Sequence, residues 1–126
     1  MEIEKTKDGK IVLCGANAYE KKYYFNNQFD KLPESIQEDL HIMAVLFTEE
    51  VGGIFLLAFD EDGELILQTD SDPDDFYYDD VSAGLLVSEI KHKKQELFEA
   101  LQIYYRVIVL KEDPSVLLAE LEKGEE

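Results

Sequence analysis

"IFLLAFDEDGELILQT", residues 54–69, sets two apolar runs on either side of an acidic turn that closes on a glycine. Each run has strand length and strand composition, and "DEDG" at 60–63 brings Gly63 to the place where a short hairpin loop needs a positive φ. The stretch predicts an antiparallel hairpin. A hairpin of this kind makes a sheet, and not a helical bundle, the frame on which the rest of the chain packs.

Upstream, "LPESIQEDLHIMAVLFTEEVGG" at 32–53 predicts a helix from about 34 to 51. Pro33 lies near its first turn, Ser35 and Glu38 have capping-box spacing, and Gly52 and Gly53 suit a left-handed end. Ile36, Leu40, Met43, Phe47 and Val51 recur at helical spacing, while Ile42, Val45 and Leu46 widen the stripe, so burial on more than one side is expected. Further upstream, "KIVLC" at 10–14 and "KYYFN" at 22–26 read as strands joined by "GANAYEK".

Downstream, Val81, Leu85, Leu86, Ile90, Leu97, Phe98, Leu101 and Tyr104 predict one face of a second helix that starts between 76 and 81. "IYYRVIVL" at 103–110 has strand propensity, yet no Gly or Pro separates it from that helix; it either continues the helix or adds a strand. "DPSVLLAELEKG" at 113–124 carries Asp, Pro and Gly at the positions expected for a short C-terminal helix. The expected architecture is α+β: a mostly antiparallel sheet of four to five strands, two main helices on one face and a short C-terminal helix, all within a single domain over 1–126.

The chain carries 29 acidic residues against 12 Lys and Arg, a net charge of −17. Such a field repels phosphate backbones and anionic lipid, which disfavours nucleic-acid and membrane binding. Disorder does not follow, because 45% of residues are hydrophobic and fall in organised runs. None of those runs approaches the roughly twenty residues that span a bilayer. "MEIEKTKDGK" has no apolar signal region, and a cytoplasmic location is the expectation.

The motifs supply no catalytic constellation, and no cofactor is expected. Asp70, Asp72 and Asp74 alternate like the first ligands of a calcium loop, but Asp75 and Val81 occupy the places where an EF-hand needs Gly and Glu. The stretch 70–80 reads better as a helix entrance capped by Asp79 or Asp80, with at most weak divalent-cation binding. Cys14, the single cysteine, has only His41 and His92 as candidate bases, and an acidic field raises a thiol pKa. There is no phosphate loop, dinucleotide fingerprint or nucleophile elbow.

Six of the seven tyrosines stand in adjacent pairs, at 23–24, 77–78 and 104–105. In a pair one ring packs while its neighbour reaches the surface, and exposed tyrosines make good interface anchors. Tyr23, Tyr24, Tyr77, Tyr78 and Tyr105 are therefore candidate interaction residues. "KHKK" at 91–94 is the one basic cluster and could meet an acidic surface of a sister subunit.

"CGANAYEKKYYFN", "FTEEVGGI", "FDEDGEL" and "DDVSAGLLVSEIKHKKQELFEAL" together resemble a family of small acidic proteins of unknown function from clostridia-type Firmicutes, over about residues 12–110. The resemblance implies a single bacterial cytoplasmic domain and carries no activity, ligand or catalytic residue. The leading functional expectation is a non-enzymatic protein-interaction module, chaperone-like or regulatory, with a protein partner and a possible homo-oligomer. A second is a small-molecule sensor or small enzyme with a pocket drawn from Cys14, Asn17, Tyr19 and His41. A third is an acidic nucleic-acid mimic with carboxylates in a row.

Overall fold

The computed structural model describes residues 5, 6 and 8–115. Four strands form one antiparallel sheet: β1 (Ile11–Asn17), β2 (Lys22–Phe25), β3 (Ile54–Phe59) and β4 (Leu65–Asp70), in the order β2-β1-β3-β4. α1 (Glu34–Val51) links the two hairpins, and α2 (Asp80–Lys93) and α3 (Gln95–Tyr104) follow β4. The protein is α+β with a four-stranded antiparallel sheet.

The hairpin over 54–69 forms as its sequence dictates, with Phe59 opposite Leu65 and Phe55 opposite Thr69. Asp60 Oδ1 accepts from the amides of Asp62 and Glu64, both at 2.9 Å. Gly63 has φ +85, and a Cβ there would lie 2.6 Å from Arg106 Cγ. Glycine is thus required twice, by the backbone and by the neighbour. Alternation places Phe55, Leu57, Phe59, Leu65 and Leu67 on the helix-covered face, where all are buried together with Cys14 and Ala16 of β1.

β1 runs three residues past "KIVLC", since Ala16 and Asn17 pair with Tyr23 and Lys22, so the connection shortens to 18–21. A register shift between Val12 and Cys14 makes a bulge. Asn26 locks it: its Nδ2 donates to Val12 O at 2.8 Å, its amide donates to Leu13 O at 2.9 Å, and its Oδ1 accepts from Gln28 N at 3.0 Å.

α1 spans the expected residues, but the capping box does not form. Pro33 occupies the cap position without a side-chain bond, because the helix begins at Glu34, two residues too early for Ser35 to serve. Gln37 Nε2 instead ties the first turn back to Leu32 O at 2.8 Å. Gly52 and Gly53 end the helix, both with positive φ. Leu40, Met43, Ala44, Phe47 and Thr48 are buried, whereas Ile42 and Leu46 remain 50% and 56% exposed. Burial therefore takes one face of α1, not its full circumference.

The second helix breaks at Lys94, where φ is −108 and ψ 20, and each half packs against a different neighbour: α2 on α1, α3 on β4. The seated stripe is Ala83, Leu86, Val87, Ile90, Leu97, Phe98 and Leu101. Val81 and Leu85 stand two residues either side of Ala83, some 200° around a helix, and are 70% and 68% exposed. Residues 105–109 continue as a wider helical turn, with Leu110 N donating to Tyr105 O at 3.1 Å. No fifth strand forms from 103–110, because nothing between α3 and this run lets the chain leave the helix. Pro114 and Ser115 begin a helical turn with Asp113 Oδ1 accepting from Ser115 N at 2.9 Å; the remainder of the expected C-terminal helix lies outside the described residues.

Candidate functional site

The end of the β1–β2 hairpin stands against the middle of α1, and between them lies a cavity of about 600 Å³. Asn17, Lys21, Lys22 and Tyr23 line it from the hairpin, and His41, Val45 and Glu49 from α1. The His41 ring stacks on Tyr23, with centroids 4.2 Å apart and planes 15° from parallel. Asn17 Oδ1 accepts from the amides of Tyr19 at 2.9 Å and Glu20 at 3.2 Å, which fixes the loop as an Asx turn. Lys21 completes it with φ +54, a left-handed conformation that costs a residue with a Cβ roughly 1 kcal/mol.

Of the four residues expected to share a pocket, Asn17 and His41 line this cavity. Cys14 is fully buried beneath it, and burial pushes its thiol up to about 12 despite an opposing influence of the Tyr23 hydroxyl. The Tyr23 hydroxyl is buried with no aligned hydrogen-bond partner; burial first, and the facing Cys14 second, raise its pKa. A thiol in this setting is neither exposed nor ionised at neutral pH. Tyr19 turns away to the acidic loop, where its hydroxyl donates to Asp75 Oδ2 at 2.7 Å and accepts from Asp72 N at 2.9 Å.

The acidic loop itself is organised by its carboxylates. Asp70, Asp72 and Asp75 accept from the amides of Ser71, Asp74 and Tyr77 at 2.8, 3.0 and 3.1 Å. Asp79 caps α2 as expected, accepting from Val81 N at 3.0 Å and Ser82 Oγ at 2.7 Å. The Ser82 hydroxyl foremost, then the Val81 amide, holds the Asp79 carboxyl below its usual range. Among the described residues, no three His, Cys, Asp or Glu side chains converge as metal ligands.

A second concavity, of about 260 Å³, runs between α1 and α2. Met43 and Phe47 floor it, Ile42, Leu46, Leu86 and Ile90 wall it, and Asp39, Glu50, Glu89, Lys93 and Lys94 complete the lining, with Lys93 Nζ donating to Glu89 Oε1 at 2.5 Å. In the loop before α2, Phe76 is 90% and Tyr77 99% exposed. Tyr78 packs inward, so close to Gly53 that a Cβ there would fall 2.5 Å from its ring. Tyr23 and Tyr24 are half-buried on opposite faces of β2, and Tyr105 is 4% exposed, stacked on Phe59 at 4.3 Å within the core. Sequence reading missed Lys21 and Lys22 as cavity residues; the Asx-turn signal of Asn17, two residues before Tyr19, would have placed them at a hairpin tip.

Residues 10–113 match the family of unknown function DUF6145. The chain belongs to this family. Its matched span takes in β1 to β4 and α1 to α3, both concavities and the acidic loop. No curated protein and no solved structure matches the chain. Among the described residues, no helix is long and apolar enough to cross a membrane.

Proposed function

We propose that this DUF6145 protein is a non-enzymatic protein-interaction module that takes a basic, amphipathic segment of its partner in the α1–α2 groove. The observation that carries this reading is the apolar surface left open in that groove: Ile42 and Leu46 on α1, 50% and 56% exposed, across from the half-buried Leu86 and Ile90 of α2. Large side chains left in water at this density favour an occupant. The occupant's chemistry follows from complementarity. Apolar walls fit the apolar face of a helix; Asp39, Glu50 and Glu89 outnumber Lys93 and Lys94 around the groove, and with Glu89 already paired to Lys93 it is Asp39 and Glu50, in a chain of net charge −17, that favour a cationic opposite face. The buried thiol and the carboxylates bound to backbone amides lend no support to catalysis.

The test uses fluorescence anisotropy with a synthetic leucine–lysine amphipathic helix and its leucine–glutamate counterpart. The lysine peptide should bind, with affinity that falls as salt is added, and the glutamate peptide should not. Ile42→Asp and Leu46→Asp, at half-exposed positions, should keep the melting temperature and weaken binding about tenfold each. Equal binding of the two peptides, or binding unaffected by both variants, would sink the proposal. Sedimentation that finds a dimer broken by Leu46→Asp would assign the groove to a second copy instead.

A further inference from the structure

We infer that the cavity between the β1–β2 hairpin and α1 is a binding site for a small organic anion, a carboxylate or phosphate monoester with a flat apolar body. The first ground is a local reversal of charge. Acids outnumber bases by 29 to 12 in the chain, yet this cavity is lined by Lys21, Lys22 and the His41 imidazole against the single carboxylate of Glu49. Among the described residues no ion pair holds either lysine, so both ammonium groups are available to a ligand. In a field this negative, an anion is held only where cations converge.

The second ground is the backbone. Lys21 sits at φ +54, a place in the hairpin where Gly or Asn rests without strain, and the position next to it is again Lys. Strain retained at a cavity wall is the pattern expected where the side chain itself is needed. The third ground is the shape of the wall. Asn17 is fixed by its Oδ1, which leaves its Nδ2 donors for a ligand oxygen, while Ala16, Ala18, Val45 and the Tyr23–His41 stack supply apolar and flat surface. Polar donors at one end and apolar cover at the other select an amphiphilic anion over a bare one. Apart from Asn17 and His41, none of these residues carries the groove proposal or the earlier pocket expectation, and the two sites stand or fall separately.

The experiment titrates the full chain, labelled with ¹⁵N, with phenyl phosphate, phenylacetate, inorganic phosphate and benzylamine. Phenyl phosphate or phenylacetate should give saturable shifts centred on the amides of residues 17–23 and 41–49, and the difference between those two arms tells phosphate from carboxylate preference. Lys21→Gly should raise the melting temperature by relieving the backbone, and Lys21→Gly with Lys22→Gln should weaken binding about tenfold or more, as loss of charge-assisted hydrogen bonds requires. A lysine kept only for folding would not separate these readouts. The assignment is overturned if benzylamine or inorganic phosphate binds as well as phenyl phosphate, if shifts spread over lysines elsewhere, or if the double variant keeps wild-type affinity.

Discussion

Asn26 is a polar side chain left 1% exposed, and the two hydrogen bonds of its side-chain amide answer for the burial. Its amide group bridges the bulge in β1 to the turn after β2, a role that neither strand's own pattern announces. Replacing it with Ala removes the hydrogen bonds to the Val12 carbonyl and from the Gln28 amide, and a loss of about 2–3 kcal/mol is expected. Urea unfolding should register it as a lower midpoint with unchanged slope; a midpoint within error of wild type would mean that water replaces the side chain. Residue types were a fair guide where one physical demand dominates. Gly63 was legible because a tight turn asks for positive φ, and Asp79 because a helix start asks for an acceptor. Lys21 was not legible, since nothing local favours a lysine in that conformation. Tyr105 was equally opaque: its pairing with Tyr104 suggested a surface ring, while the aromatic cluster of Phe29, Phe59 and Tyr105 is assembled from three distant segments.

Elements were read with most success where a single periodicity filled the segment. α1, β3 and β4 lie where their patterns place them, and β1 was cut short only because Gly15 and Asn17 resemble turn residues while pairing with β2 and β3 as strand. The helix after the acidic loop was read with its stripe displaced, since Val81 and Leu85 are apolar and in phase with each other yet face water. Its cap gives a prediction with a definite sign. The folded-state pKa of Asp79 lies below the unfolded value of about 3.9. Its stabilisation of α2 is therefore complete above that value and is lost as pH falls through the lower, folded one. Amide exchange at Val81 and Ser82 should quicken over that acid window, and Asp79→Asn should remove this pH dependence; identical profiles for both proteins would exclude the carboxylate as its source.

Taken whole, the molecule combines net charge −17 with only three ion pairs among the described residues, so repulsion outweighs attraction across its surface. Adding sodium chloride should raise the melting temperature by screening that repulsion; calorimetry that finds a fall would show that paired charges dominate. The sequence by itself determined the class of fold, the hairpin, the extent of α1 and the capped start of α2, because turns, caps and periodicities are set by residues near one another in the chain. Only the tertiary structure decided which apolar side chains stay in water, that Cys14 is sealed beneath Tyr23, and that two lysines and a histidine meet at one cavity. Those outcomes depend on which faces of separate elements are brought together, and no stretch of the chain encodes that juxtaposition alone.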